Sequence, residues 1–465
     1  MRYFLAFLLA TSAHATSYRV DGISGSDDND GVTAPFRTIG RAVKSLRRSD
    51  TLVLTPMPEP YRESLPLRIG GTATEPFIVE GGGATLSGAD PAPADGWRVA
   101  GNIWALDQAR EVRFLFGPDA CYEKGASATD IGPEQWFWEA DVLSFRPTEG
   151  RSPSDYSLEM SVRVSGILTS GAGQIIVRDL TCKHFFNDGF NIHGGSAPLW
   201  FERIRGVWNG DEGFSAHENC ECYVRDGVFS HNQCHGIADI DYARTHYSGI
   251  TVEDNVLKGI FFIGGFHSVI DSTISGSPEN IAISPSGRAG FPQSQHHPIR
   301  RATTNLRNVV VDSSDGQVGL HLRAGADCAL EHCLVRGGRA GLVVDADATA
   351  YAINTIIADA NDAEVVAGGS YAGDHNLYFP GRLIIGAEAY APGQFADYQA
   401  ATGNDAHSWV SEPAFIADTL WSSRASRAFG AAFDAGGFGG PDIGPVPLGT
   451  RPKEDASVLA PNATR

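Results

Sequence analysis

The chain has 465 residues, and 55 acidic against 36 basic residues give it a formal net charge of −19. This acidic excess disfavours nucleic acid or an anionic membrane as the main partner, although a few local cations could still hold an acidic substrate. Length alone suggests two or three globular domains, but a solenoid can carry a chain of this length on one continuous core.

Residues 1–15 are predicted to be a signal peptide. Arg2 precedes a short apolar run, and Ala13, His14 and Ala15 form the small-x-small pattern of a cleavage site. That run is too short to cross a bilayer, and no other segment has about 18 uninterrupted apolar residues, so we expect no membrane anchor. The mature protein is therefore expected to be secreted or periplasmic, and we expect a monomer.

Residues 16–94 are predicted to form an N-terminal cap and the first coils of a repeat. A strand, a polar glycine-rich loop, an amphipathic helix from about Phe36 to Leu46 and a second strand follow one another. Such a helix would cover the otherwise exposed edge of the first coil. We expect no cofactor and no metal site, except that SDDNDG at residues 26–31 leaves calcium possible, although the same residues are typical of turns.

Residues 95–160 are predicted to be an inserted β-rich module. The segment does not share the spacing of the residues that follow, and it is rich in aromatic side chains: Trp97, Trp104, Trp136, Phe137 and Trp138. We expect it to pack against one of the coils.

A repeat runs through residues 161–385. Gly189, Gly213, Gly236 and Gly259 lie 24, 23 and 23 residues apart, each within a short β-branched or aromatic run. Similar runs begin near Glu279, Val318 and Ala340, and a second short run lies in each interval. A period of this length with two or three short strands is typical of a parallel β-solenoid, in which successive coils stack on one another. The fold class is therefore all-β.

The remaining C-terminal residues are predicted to close the solenoid. Residues 386–449 read as a helix followed by loops, and residues 450–465 as a disordered tail. The seven cysteines show no paired spacing typical of zinc sites, so they are interpreted as buried small side chains or as one or two disulfides.

The N-terminal segment, continued by YRESLPLRIGGTATEPFIVEGGGATLSG, resembles the start of secreted right-handed parallel β-helix proteins with the pectin-lyase type of fold. The resemblance extends from about Ser17 to about Pro380. It implies a right-handed winding and a fold shared by many carbohydrate-active proteins.

Four ionisable residues directly precede the repeated glycines: Asp188, Glu212, His235 and Lys258. Burying four such groups would be very costly, so we expect each glycine to mark a corner that turns them to solvent. Coils stack about 4.8 Å apart, which makes these residues a ladder with Asp211 beside it. Carboxylates on adjacent rungs repel, and one is then expected to keep its proton while the other stays ionised. A glycosidase needs such a pair.

The motifs of this ladder, NDG, GDEG, CHG and LKG, resemble in order and spacing those of polygalacturonase-type glycoside hydrolases. The resemblance implies that Asp211 is the acid, that Asp188 and Glu212 position or activate water, that His235 holds the geometry of the acid, and that Lys258 meets a uronate carboxylate. The chain departs from the family pattern in lacking its threonine and arginine, in carrying glutamate for the second aspartate, and in carrying cysteine for the glycine before the histidine.

Further candidates for substrate contact lie close to the ladder in sequence: His193, His217, Asp239, Asp241, Arg244 and Trp208. The two histidines occupy equivalent positions on adjacent coils, and the tryptophan could offer a stacking face to a sugar ring. The alternative interpretation is that these are ordinary turn and strand residues without a function.

Three functions remain open from sequence alone. The first is an exported polysaccharide-degrading enzyme, a glycoside hydrolase that uses paired carboxylates on adjacent coils. The second is a polysaccharide lyase or uronate epimerase, in which a lysine, histidine or arginine removes the proton beside a uronate carboxyl group and calcium or a cation neutralises that carboxylate. The third is a carbohydrate-binding or surface β-helix protein without catalysis.

Overall fold

The computed structural model describes residues 15–286, 301–415, 426–428, 432, 444 and 445. Most of the described chain winds into a parallel β-helix, which confirms the predicted fold class. The signal peptide, apart from Ala15, and the predicted tail lie outside the described residues, as does part of the closing region.

The solenoid has three parallel faces, here named A, B and C. Face A contains Leu65–Leu67, Ile167–Ser170, Phe190–His193, Phe214–Ala216, the start of His235–Ser248 and of Lys258–Ser275, Glu279–Ser284, Val318–Leu322, Ala340–Val344, Ala363–Ala367 and Leu383–Ile385, with Glu388–Tyr390 antiparallel at its end.

Face B follows face A in each coil. It contains Ser17–Val20, Thr51–Leu54, the starts of Phe77–Ser87 and Ile175–Lys183, Leu199–Glu202, Glu221–Arg225, the later part of His235–Ser248, the middle of Lys258–Ser275, the start of Ala302–Ser313, Ala326–Glu331, Thr349–Ile353 and Ser370–Asp374.

Face C completes each coil. It contains the ends of Phe77–Ser87, Ile175–Lys183, Lys258–Ser275 and Ala302–Ser313, together with Arg205–Val207, Val228–Ser230, Thr251–Glu253, Leu334–Gly337, Ile356–Ala358, Leu377–Phe379 and Trp409–Val410. The longest strands bend from one face to the next.

The core forms because alternate side chains of every strand point into the solenoid. On face A, Phe190 and Ile192 are fully buried, and Phe190 stacks on Phe214 of the next coil with ring centroids 6.2 Å apart. Burying such a side chain contributes roughly 1.5–3 kcal/mol. Since each coil repeats the pattern, one apolar column runs along the axis.

A ladder of asparagines fixes the corner between faces C and A. Asn209, Asn232 and Asn255 are 1 % exposed or less and lie one coil apart. The Asn209 side-chain amide donates to Asn232 Oδ1 (3.1 Å), and the Asn232 amide donates to Asn255 Oδ1 (3.0 Å). The backbone N–H groups of Asn209 and Asn232 donate to the same two oxygens (both 3.0 Å). The corner just before the ionisable column is therefore held in register over three coils.

The N-terminal end carries a short helix, Ile39–Val43, within the range that the sequence predicts. Thr38 caps it by accepting a hydrogen bond from Arg41 N. The Glu63 carboxylate accepts hydrogen bonds from Ile39 N (3.0 Å) and Gly40 N (2.8 Å), a favourable place for a negative charge.

The SDDNDG loop is occupied by its own hydrogen bonds. Asp27 accepts from the backbone of Arg37 and Thr38 and from the Thr38 hydroxyl. Asp30 accepts from Val32 N, from Ala34 N, and from the backbone and hydroxyl of Thr33. Because these oxygens are engaged within the chain, this geometry favours the turn interpretation over a calcium loop.

At the other end, a 3-10 turn, Pro392–Gln394, leads into the helix Phe395–Thr402, which stops at Gly403 in the left-handed conformation (φ 72°). The Tyr398 hydroxyl donates to buried Asp405 (2.8 Å) and so joins this helix to the last coils.

The inserted module is built of two antiparallel sheets and extends a little beyond the predicted residues 95–160, because Ala89–Pro91 and Ser161 belong to one of them. One has the order Gln135–Glu139, Val142–Arg146, Ile103–Asp107 and Arg98–Ala100, and the other Ala89–Pro91, Glu159–Ser161, Phe114–Phe116 and Cys121–Tyr122, with a 3-10 turn at Pro153–Asp155. The module has its own apolar core around Trp136 and Phe145. Phe116 stacks on His184 of the solenoid, with ring centroids 4.6 Å apart.

All seven cysteines lie within the described residues and are free thiols, five of them buried, so the disulfide alternative does not hold in this structure. Among the described helices, none has the length and apolar character needed to cross a membrane.

Candidate functional site

The ionisable column of the sequence forms a contiguous line on face A. Gly189 N donates to Glu212 O (2.9 Å) and Gly213 N donates to His235 O (3.2 Å), so the residues before these glycines are stacked neighbours. His235 pairs in register with Lys258, and Lys258 pairs with Glu279. The column therefore includes Glu279, which sequence reasoning noted only as the start of a strand.

The predicted turn of this column to solvent is wrong for two of its members. Asp188 is 2 % exposed and His235 is 8 % exposed, whereas Asp211, Glu212 and Lys258 are half-buried. Gly236 and Gly259 lie inside strands, and Gly189 and Gly213 lie in bends directly before strands, but the hydrogen-bonded ladder already includes the residue before each glycine.

The inserted module supplies the cover at this corner. Its last strand leads into residues 163–165, and the oxygens of Arg163 and Val164 accept hydrogen bonds from the backbone of Phe186 (3.0 Å) and Asn187 (2.9 Å). The Phe114 ring packs so closely on Gly210 that an added β-carbon would lie 2.3 Å from it. One side of the acidic corner is therefore formed by a segment distant in sequence.

Three carboxyl groups meet at this corner. One oxygen each of Asp188, Asp211 and Glu212 lies within 4.8 Å of the others, and Glu212 N donates to Asp188 Oδ1 (3.3 Å). Burial raises the pKa of Asp188 to about 7. Burial, together with the charges of Asp188 and Asp211, raises the pKa of Glu212 well above its usual range. Glu212 therefore holds its proton more strongly than an exposed glutamate does.

His235 lies on the coil after the carboxyl cluster as a neutral imidazole. Burial and the nearby Lys258 ammonium lower its pKa to about 3. Its ring stands edge-on to Phe261 with centroids 5.3 Å apart, and its Nδ1 is buried without a hydrogen-bond partner in the described structure. This nitrogen can accept a proton or bond to a ligand.

Beyond His235 the column becomes a charged network centred on Glu279. Its carboxylate contacts Lys258 Nζ (3.4 Å), Arg323 (2.8 Å) and His321 Nδ1 (2.8 Å), and His321 Nε2 contacts Asp345 (3.1 Å). Although burial opposes ionisation, His321, Arg323 and Lys258 hold the pKa of Glu279 at about 2. Face A thus passes from an acidic end to a cation-rich end.

His193 and His217 stack on adjacent coils of face A, with ring centroids 4.2 Å apart. Burial and the charge of His193 lower the pKa of His217 to about 4, and His217 hydrogen-bonds the Ser215 hydroxyl. Glu218 lies beside the pair, with both carboxylate oxygens 3.3 Å from His193 Nδ1. His193 ends the strand that Asp188 precedes, and His217 and Glu218 follow the strand that Glu212 precedes.

Two predicted substrate contacts point into the core instead. Asp239 is 0 % exposed and Asp241 is 2 % exposed. The Asp239 carboxylate accepts hydrogen bonds from the hydroxyls of Thr245 (2.7 Å) and Tyr247 (2.8 Å), and burial raises its pKa to about 7. Neither aspartate can reach a polysaccharide from there. Strand alternation from inward-facing Ile237 would have placed both inside.

The last two predicted contacts lie away from the column. Arg244 is exposed but belongs to face B, where it pairs in register with Glu221. Trp208 is half-buried in the corner between faces C and A, in the left-handed conformation (φ 55°), and its ring packs on His231 at 4.5 Å. Its conformation and its packing on His231 are those of a turn residue, as in the alternative interpretation of the sequence.

Sequence reasoning missed the groups that support the column. The asparagine ladder has a visible signal, since Asn209, Asn232 and Asn255 repeat every 23 residues. The contact of Arg323 with Glu279 and the packing of Phe114 on Gly210 have no signal in the sequence, because both depend on contacts between segments far apart in the chain.

Comparison with known proteins identifies the fold. By sequence, the chain matches no family profile and no curated protein. Among solved structures, it is similar to XylC in complex with xylose, with a TM-score of 0.55 and 11% identity over 87% of this chain and 88% of that one. It is also similar to a glycoside hydrolase, with a TM-score of 0.52 and 10% identity over 80% and 94% of the two chains.

A pectate lyase, Pel9A, aligns over 93% of this chain and 96% of its own, with a TM-score of 0.46 and 11% identity. The likenesses to XylC and to the glycoside hydrolase agree with the resemblance to the parallel β-helix fold, and at such identities they show a shared fold.

Proposed function

We propose that the protein is an exported enzyme that hydrolyses a glycosidic bond of a polysaccharide on face A. The observation that carries the proposal is the group of Asp188, Asp211 and Glu212, in which one oxygen of each carboxyl group lies within 4.8 Å of the others and the pKa of Glu212 is raised well above its usual range. The predicted signal peptide supports export. The two sugar-related structures with this fold, XylC with xylose and the glycoside hydrolase, support a carbohydrate substrate.

The proposed mechanism gives separate roles to two half-buried carboxyl groups, Glu212 and Asp211. Glu212 gives its proton to the glycosidic oxygen as the bond from that oxygen to the anomeric carbon breaks. Asp211 takes a proton from the water that attacks the anomeric carbon. Buried Asp188 keeps the pKa of Glu212 high. This assignment exchanges the roles that the polygalacturonase resemblance implied for Asp211 and Glu212, because burial and the charges of its neighbours raise the pKa of Glu212.

The cation-rich end of the column favours a substrate that contains uronic acids. Lys258 and Arg323 both contact Glu279, and three basic groups surround this single carboxylate. Coils about 4.8 Å apart place Lys258 two coils from Glu212, roughly the length of two sugar residues, and Glu279 one coil further. A uronate carboxylate bound beside Lys258 would belong to the same polysaccharide chain as the glycosidic bond that the carboxyl cluster cleaves.

A screen of uronic and neutral polysaccharides tests the proposal. The wild-type protein should release new reducing ends from at least one of them, and Glu212→Gln and Asp211→Asn should each lower kcat by about 100-fold or more. Glu253→Gln, the same change on face C, should leave the rate unchanged. Wild-type activity in Glu212→Gln would refute the assignment of the acid.

A lyase or uronate epimerase is the second candidate, and the unpartnered Nδ1 of neutral His235 beside Lys258 favours it. Products with ultraviolet-absorbing unsaturated ends, lost in His235→Gln and in the presence of a calcium chelator, would favour a lyase. Binding without any cleavage by the wild type would favour a carbohydrate-binding protein.

A further inference from the structure

We propose that His193, His217 and Glu218 form a binding site for a divalent transition-metal ion of the zinc class. The three residues come from two adjacent coils of face A, and one ligand atom of each lies within 4.8 Å of the others. The site is separate from the carboxyl cluster, since His193 ends the strand Phe190–His193 and His217 and Glu218 follow the strand Phe214–Ala216, whereas the cluster precedes both strands.

The spacing of the ligand atoms fits a metal better than a direct hydrogen bond. His193 Nδ1 lies 3.3 Å from both oxygens of Glu218. A charge-assisted hydrogen bond would shorten this distance to about 2.7–2.9 Å. Tetrahedral zinc with bonds of about 2.0–2.2 Å holds neighbouring ligand atoms about 3.4 Å apart. The nitrogen and the carboxylate already have the separation that a shared ion needs.

The supporting contacts orient the three ligands. Glu218 Oε2 accepts a hydrogen bond from Gly194 N (2.8 Å), which ties the carboxylate to the coil of His193. The Ser215 hydroxyl bonds His217 Nε2 and leaves Nδ1 as the ligand atom of that ring. A group that fixes the second nitrogen of a ligating histidine is a regular feature of metal sites.

The ligand types select the class of ion. Two imidazoles and one carboxylate suit zinc and its neighbours, whereas calcium and magnesium prefer oxygen ligands alone. The site is open to entry, since the side chains of His193 and Glu218 are 35% and 38% exposed. The fourth coordination position remains for water or for a substrate hydroxyl.

Metal titration of the untagged mature chain tests this inference independently of any enzymatic activity. Zn²⁺ should bind by calorimetry, and Co²⁺ should give the visible absorption of a tetrahedral site. His193→Gln, His217→Gln and Glu218→Gln should each remove one equivalent or weaken it by at least about 100-fold. His231→Gln, a change of another half-buried histidine, should leave this equivalent intact.

A second group, Asp374, His375 and His407, could bind metal as well, so His407→Gln serves as a further control. It should not affect the equivalent that depends on His193. Circular dichroism and melting in a chelator should show that the variants are folded. The proposal is overturned if the wild type binds no Zn²⁺ or Co²⁺, if the three variants bind it like the wild type, or if the site takes Ca²⁺ equally well.

Discussion

The protonation of Glu212 depends on its neighbour Asp188. Burial and the negative charge of Asp188 both raise the pKa of Glu212, and that charge is removed in Asp188→Asn. We therefore expect the basic limb of the pH–rate profile, which reports deprotonation of the acid, to move to lower pH by about one unit or more. Initial rates from pH 4 to pH 9 measure this shift.

Comparing Asp188→Asn at two pH values separates the effect of the Asp188 charge from the effect of its hydrogen bond. Asp188→Asn preserves the oxygen that accepts the hydrogen bond from Glu212 N, so activity should remain at pH 5 and be lost at pH 8. Equal losses at both values would indicate a purely structural role. Glu253→Gln on face C should leave the whole profile unchanged.

Individual residues also show where sequence reasoning reaches its limit. The order of Asp188, Glu212, His235 and Lys258 on successive coils follows from glycine spacing and is confirmed by the ladder. Their exposure does not follow from it, because the module that covers the corner contacts it from residues far away in sequence. Asp239 was misplaced although strand alternation alone determines its side.

At the scale of elements, the asparagine ladder holds the corner that carries Asp211 and Glu212. Asn232 accepts hydrogen bonds from Asn209 and donates to Gly206 O and Asn255 Oδ1. Asn232→Ala removes the acceptor of buried Asn209 N and the side-chain donor to Gly206 O and Asn255 Oδ1, so we expect a loss of about 2–4 kcal/mol in the free energy of unfolding. We also expect kcat to fall, because the corner loses its register. Urea unfolding and steady-state rates measure both effects.

Asn376→Ala is the matched control in a second ladder among the C-terminal coils. Asn376 is also buried, donates to Ala352 O (2.9 Å) and accepts from Thr355 N (2.9 Å), but it lies several coils from the carboxyl cluster. Asn376→Ala should lower the free energy of unfolding by a similar amount, and kcat should be unchanged at temperatures where the variant is folded. Equal effects of the two variants on kcat would contradict a local role of the first ladder.

Elements differ in how well sequence predicts them. Coils are predictable because a strand that stacks on its own repeat needs the same residue type at the same interval, as at Gly213 and Gly236. The inserted module could be recognised as a break in that interval. Its two sheets and the packing of its Phe114 on Gly210 could not be predicted from the sequence, because antiparallel pairing inside an insertion leaves no period in the sequence.

At the scale of the whole molecule, the solenoid buries titratable groups of both kinds. Burial raises the pKa of Asp188 and Asp239 to about 7 and lowers that of His184 and His267 to about 3. The unfolded chain releases the carboxyl protons above about pH 4 and protonates the histidines below about pH 6.5. Stability therefore decreases with rising pH through the aspartates and with falling pH through the histidines.

These opposed contributions can be separated by single variants inside the core. In Asp239→Asn, stability relative to the wild type should rise between pH 4.5 and pH 7, by up to about 3 kcal/mol, because only the wild type must keep a proton that its unfolded chain has lost. In His184→Gln, at a histidine that does not contact Asp239, the relative stability should rise in the opposite direction, from pH 7 to pH 4.5. Urea unfolding at the two pH values measures both slopes. Parallel profiles for the wild type and both variants would show that neither buried group is linked to the pH dependence of folding.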